Sequence, residues 1–134
     1  FAQRNTTRRM YVINMSTGTV QTHAVAVGKN LDADGSGYAN RFSNSPGSDM
    51  SSLGIYRTAE IYYGEHGRSL RLDGLSPTNS NVRSRAIVIH RAPYVSDSSP
   101  YAGRSWGCFA LDPSITDTVI SELAHGAMLY AWYN

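Results

Sequence analysis

The chain has 134 residues, 41% of them hydrophobic, and a formal net charge of +2 with the histidines neutral. That length suits a single domain, expected to run over 1–134, around one core. No apolar run approaches the roughly 20 residues that span a bilayer, and so small a basic excess gives no reason to expect nucleic acid as a partner.

Met10 to Met15 (MYVINM) reads as a strand rich in β-formers. Ser16 to Thr19 supplies turn chemistry, and Val20 to Val27 fits a second strand, so the two suggest a hairpin. Gly28 to Asp49 is dense in Gly, Ser, Asn and Asp and reads as a long irregular segment, of the kind that is usually functional or mobile in a compact domain. Within it, Asp32-Ala33-Asp34-Gly35-Ser36-Gly37 imitates the start of a calcium loop. The twelfth position is Ser43, which offers no bidentate carboxylate, so a plain turn is the better reading and no metal is expected.

Leu53 to Tyr63 resumes a strand pattern, and Ser69 to Leu72 alternates before Asp73-Gly74, a turn. Ala86 to His90 (AIVIH) is a continuous apolar run ending in His, the pattern of a central strand buried on both faces. Ala92 to Arg104, with Pro93, Pro100 and Gly103, reads as a loop. Asp112-Pro113 starts a helix, with Asp as cap and Pro at the first position. Ile115, Val119, Ile120 and Leu123 share one face of it, and Gly126 stops it. Met128 to Tyr133 closes the chain as an apolar strand. The sum is a mainly β chain, a mixed β-sandwich or barrel-like sheet with one packed helix.

The single cysteine, Cys108, cannot form an internal disulfide. Its bland reading is a small buried hydrophobe. Its chemical reading needs a base, because a thiol with the ordinary pKa of about 8.5 holds little thiolate at neutral pH. An imidazole can take that proton and later return it to a leaving amine. Of His23, His66, His90 and His125, His90 is the best placed, at the end of the most apolar strand, where a rigid element can aim it. His125 lies near the helix end, where positive charge is favoured, and His23 and His66 read as surface or structural residues. Gly107 lets the backbone approach a substrate closely, and the amides of Gly107 and Cys108 can face a developing oxyanion. On pattern alone, a catalytic and a structural Cys–His pair both stay open. Tyr56, Tyr62, Tyr63, Tyr94, Tyr101 and Trp106 offer aromatic surface for an extended peptide, although aromatics on strands are more often core or sheet-face residues.

His90, a loop, then Ser105-Trp106-Gly107-Cys108 resembles the signature of the L,D-transpeptidase catalytic domain, the YkuD-like family, and most closely its murein branch YkuD_2. Similar stretches follow in order: Phe42-Ser43-Asn44, Ser51 to Tyr56, Tyr63 to Gly67, Ser69 to Leu75, Arg85 to His90, and Gly103 to Cys108. The resemblance covers most of residues 10 to 112. It implies a mainly β L,D-transpeptidase-like fold, no metal or organic cofactor, and peptidoglycan stem peptides as donor and acceptor. The implied reaction is attack by cysteine on the third, diamino-acid residue, expulsion of the terminal D-Ala, and transfer of the thioester to an amine of a second stem, giving a 3→3 cross-link. With water as acceptor, the same site is an L,D-carboxypeptidase or endopeptidase.

Carried over by position, the resemblance makes Cys108 the nucleophile and His90 the base. Ser105 orders the turn, the amides of Gly107 and Cys108 are oxyanion donors, and the backbone carbonyl of Arg91 is the third partner of the imidazole. Tyr56 and Trp106 fall within the family stretches and are expected in the cleft. The chain departs from the pattern at Arg91 (Gly or Ser in many relatives), Phe109 (usually Pro) and Ala110 (Arg in more distant relatives), so substrate anchoring is expected through Arg104 or Arg91. A periplasmic or secreted place in the cell envelope follows from the substrate alone, since Phe1 to Arg9 lacks a signal-like apolar stretch. Two other classes compete: a peptidoglycan-binding module without chemistry, against which the intact Cys and His argue, and a redox thiol, weakened by the lack of a resolving cysteine.

Overall fold

The computed structural model describes residues 1–99 and 101–134, with Tyr101 described by its backbone alone. The strands are β1 (Met10–Ile13), β2 (Val20–His23), β3 (Gly54–Gly64), β4 (Gly67–Gly74), β5 (Val88–Arg91), β6 (Val95–Ser96), β7 (Tyr101–Ala102), β8 (Phe109–Leu111) and β9 (Met128–Ala131). Helix α1 (Pro113–Leu123) joins the last two. Five strands form one sheet in the order β8-β5-β4-β3-β9, antiparallel except for the parallel pair β5–β8. A mainly β fold with a mixed sheet and one packed helix is therefore what the chain adopts.

One face of the sheet builds the main core. Tyr56, Leu70, Leu72, Ile89, Phe109 and Leu111 pack with Val119 and Ile120 of α1. Each such burial removes a side chain's apolar surface from water, worth about 1.5–3 kcal/mol. The helix begins as its sequence dictates: the Asp112 carboxylate accepts from the Ser114 amide at 2.7 Å, and Pro113 occupies the first turn. Its buried face also includes Thr116, whose hydroxyl donates to the Asp112 carbonyl at 2.7 Å and so enters the core already paired. Ile115 and Leu123 sit at the margin of the core, partly buried.

The elements differ from the sequence reading in ways that have physical causes. β2 ends at His23, and the apolar residues 24–28 run across to cover the outer edge of β8. Ala26 and Ala110 exchange both backbone hydrogen bonds at 2.9 Å. β5 begins at Val88 because Ala86 holds a left-handed backbone (φ 55) that breaks the extended run. The stretch read as a loop from Ala92 to Arg104 contains the small antiparallel hairpin β6–β7, and Pro100 lies outside the described residues. β9 stops at Ala131 rather than reaching Tyr133.

Strand alternation then positions the site. Ile89 and its partner Phe109 point into the main core, so His90 and its partner Ala110 point to the other face. Among the described residues, that second face packs a small cluster, Ala24, Ala26, Ala92, Val95 and Ala110, with Tyr94 and Ala102 against it. Among the described residues, no helix is long and apolar enough to cross a membrane.

Candidate active site

Cys108 sits in a bend immediately before β8. Ala110 lies opposite His90, so Cys108, two residues earlier, falls on the same sheet face as the imidazole, with α-carbons about 8 Å apart by strand rise and spacing. The bend is held from both sides. Ser105 Oγ donates to the Cys108 carbonyl at 2.7 Å and accepts from the Gly107 amide at 3.2 Å. Ser51 Oγ donates to the Gly107 carbonyl at 2.8 Å and accepts from the Gly28 amide at 3.1 Å. Gly107 is required twice over: its φ is 123°, and a Cβ there would lie 2.6 Å from Ile87 Cδ1. The Cys108 sulfur lies 3.5 Å from the Ala86 carbonyl oxygen and accepts from the Val88 amide.

His90 is 2% exposed. Its Nδ1 lies 2.7 Å from the Arg91 carbonyl oxygen. A carbonyl only accepts, so Nδ1 carries the proton and Nε2 is left as the acceptor. The ring of His66, from the turn between β3 and β4, stacks on His90 with centroids 4.0 Å apart and planes at 15°. Burial lowers the His90 pKa from its ordinary 6.5, the Arg91 carbonyl opposes that shift, and His66 adds to it. Burial pushes the Cys108 thiol above its ordinary 9.0, against the Val88 amide and the charge of Arg85, which favour the thiolate. Both directions favour the uncharged forms, a thiol at Cys108 and a neutral imidazole at His90.

The L,D-transpeptidase catalytic domain family, YkuD_2, matches residues 1–132. The chain belongs to this family. The family acts on peptidoglycan stem peptides and is associated with the cell envelope. No curated protein matches the chain. The structure of the L,D-transpeptidase LdtMt1 in complex with imipenem is similar in fold, with a TM-score of 0.50 at 16% identity. The match covers 84% of this chain and 50% of that one, so this L,D-transpeptidase domain spans about half the length of that structure.

Several expected site residues sit elsewhere. Tyr56, expected in the cleft, is fully buried: its hydroxyl donates to the Ser52 carbonyl at 2.6 Å and its ring meets Phe109 edge-on at 5.4 Å. It is a core residue because it faces inward beside Phe109, which is itself packed in the core and so does not face an acceptor. Arg104 is engaged with Asp32 at 3.1 Å and with the Lys29 carbonyl at 3.2 Å, which ties it to the 29–37 segment. The Asp32 carboxylate also accepts from Asn5 and the Gly37 amide, both at 3.1 Å. The Arg91 guanidinium turns to Asp117 on α1 at 3.3 Å, while its carbonyl meets His90 as the resemblance implied. The Gly107 amide, expected to face an oxyanion, is taken by Ser105.

Trp106 stays 75% exposed beside the nucleophile, with Lys29 Nζ 5.3 Å from its ring centre. Of the other aromatics considered for a groove, Tyr63 is exposed, Tyr62 lies under Arg71 at 4.0 Å, and the Tyr101 side chain lies outside the described residues. Tyr94 is half-buried, its pKa raised by burial and by the nearby Cys108.

Three residues of the site escaped sequence reasoning: Ser51, His66 and Arg85. Arg85 reaches Ser43 O, Ser48 Oγ and Ser52 Oγ, each at 3.0 Å, and Met50 O at 2.7 Å, clamping the segment that carries Ser51. All three lie within the stretches that resemble the family, which was their only signal.

Proposed function

We propose that the domain transfers acyl groups between peptidoglycan stem peptides through a Cys108 thioester. The observation that carries this reading is the fixed His90 tautomer, Nδ1 tied to the Arg91 carbonyl, on the sheet face shared with Cys108. His90 Nε2 takes the thiol proton as sulfur bonds to the carbonyl carbon of the third stem residue. The Cys108 amide donates to the oxyanion. Collapse breaks the C–N bond to the terminal D-Ala, whose amine takes the proton from His90. An acceptor amine then attacks the thioester, gives a proton to His90, and forms the 3→3 link as the thiolate leaves and is reprotonated. Trp106 and Tyr94 flank the nucleophile and suit contact with an extended peptide. Transfer, rather than hydrolysis, is the leading reading; water in the acceptor position gives L,D-carboxypeptidase action. The envelope outside the cytoplasmic membrane is the matching location.

Incubation with tetrapeptide muropeptides tests this. The expected products are 3→3 dimers with wild type and none with Cys108→Ala. Tripeptide monomers alone would replace transfer by hydrolysis, and products persisting in Cys108→Ala would refute the thioester.

A further inference from the structure

We propose that His66 is a positioning residue for His90, holding the plane of the imidazole that shuttles the Cys108 proton and shutting water from one of its faces. The inference deepens the proposed function and rests on His90 being the base.

His66 belongs to the two-residue turn Glu65-His66 that joins β3 to β4. Gly67 follows in the left-handed region (φ 76), which lets the chain reverse tightly. The sheet register, Leu70 opposite Ile89, brings this turn level with the end of β5, where His90 and Arg91 lie. One contact and one close approach lay the turn over that end. The His66 ring is nearly parallel to His90 at 4.0 Å, and a Cβ on Gly67 would sit 3.7 Å from Arg91 Nε. A turn position does not call for an aromatic ring, and His66 is itself solvent-exposed. Its ring nonetheless spends one face on a residue that is 2% exposed.

The hydrogen bond to the Arg91 carbonyl fixes one ring atom of His90 but leaves rotation about that contact. A stacked ring removes that freedom, which a proton shuttle between sulfur and amine nitrogen requires. Charged and titratable groups on the elements packed here include Cys108 before β8, Glu65 and His66 on the β3–β4 turn, and Arg91 on β5, whose guanidinium is drawn off to Asp117. Arg68 of β4 bonds to α1 through the Asp117 carbonyl and Ser121. Of these side chains, His66 is the one stacked on the imidazole. Burial first, and His66 beside it as a smaller electrostatic cause, both favour the neutral, proton-accepting form of His90.

The test compares wild type, His66→Ala and His66→Phe in two measurements. The first is the pH-dependent rate of Cys108 acylation by imipenem, followed by intact mass. The second is NMR titration of the His90 imidazole, which needs no turnover. His66→Ala is expected to slow acylation about fivefold at neutral pH, the scale of one aromatic contact, and to move the His90 midpoint upward. His66→Phe, which keeps a ring over His90, is expected to restore most of the rate and to move the midpoint less. Wild-type rate and an unmoved His90 titration in His66→Ala would overturn the proposal while leaving the Cys108 adduct, and hence the proposed function, intact. A slow His66→Phe would also overturn it, since stacking would then not be what matters. No wild-type adduct on Cys108 would count against the proposed function, and the titration would still decide whether His66 governs His90.

Discussion

The Ser105 hydroxyl donates to the Cys108 carbonyl at 2.7 Å while accepting from the Gly107 amide at 3.2 Å, so a single side chain closes the turn that presents the thiol. Ser105 is 4% exposed, and water does not replace it there. In Ser105→Ala a buried carbonyl and amide lose their partner, at a cost of about 1–3 kcal/mol. Thermal denaturation is expected to show that loss, and imipenem acylation is expected to slow about tenfold or more as the sulfur loses its aim. A Ser105→Ala protein that is less stable but acylates at the wild-type rate would confine the serine to folding.

Arg85 makes its hydrogen bonds to the 43–52 segment, and that segment holds the Gly107 carbonyl through Ser51. Its charge also favours the Cys108 thiolate. Lys keeps the charge but not the planar fork. Arg85→Lys is therefore expected to lose about 1–2 kcal/mol in urea denaturation, from broken charged hydrogen bonds, with little change in the pH midpoint of Cys108 alkylation. Arg85→Ala is expected to lose stability and to move that midpoint upward. An unmoved midpoint in Arg85→Ala would show that the guanidinium acts only as a clamp.

The opposite displacements of the two titrating groups set the pH behaviour. Burial carries the Cys108 thiol above 9.0 and the His90 imidazole below 6.5. Iodoacetamide alkylation of Cys108, which reads the thiolate, is expected to have its midpoint above 9.0. An imidazolium–thiolate pair would instead titrate well below the ordinary thiol value. Acylation by imipenem is expected to hold through neutral pH and fall only as His90 protonates, below 6.5. The linkage has the same origin. Below 6.5 the unfolded chain binds the His90 proton more readily than the folded one, so stability is lost as pH falls through that window. Above 9.0 the folded thiol keeps its proton longer than the unfolded one, so stability is lost as pH rises. Denaturation of His90→Gln should show a smaller loss than wild type just below 6.5, the carboxylates accounting for what remains at lower pH.

Tyr56 offers a test of core against cleft. Tyr56→Phe removes the hydroxyl that donates to the Ser52 carbonyl while keeping the ring against Phe109. The expected cost is about 1 kcal/mol of stability, with an unchanged KM for the muropeptide donor. A raised KM at unchanged stability would place the tyrosine against the substrate.

Much of the fold was legible because its signals are local. The Asp112-Pro113 cap, the helical spacing of Val119 and Ile120, and the apolar run into His90 each lie within a few residues. The misreadings arose where distant segments intervened. Val25 to Val27 looked like a continued strand because they are apolar, but their partners are β8 and Ser105 rather than β1. The hairpin within 92–104 was hidden because strands of two residues carry too little pattern.

By itself, the sequence determined the local chemistry of this protein: one thiol after a glycine, a histidine ending an apolar strand, and a family pattern that tied them together. The tertiary structure alone decided what surrounds that pair. Sheet register brings the turn of His66 onto His90, and loop packing brings Ser51 onto the Gly107 carbonyl and Arg85 onto the 43–52 segment, across separations of 24, 56 and 33 to 42 residues. It also turns Tyr56 inward and half-buries Cys108, whose desolvation pushes the thiol upward, opposite to the direction expected for a thiolate paired with imidazolium. Burial and long-range pairing depend on which strands become neighbours, and no short stretch of the chain carries that information.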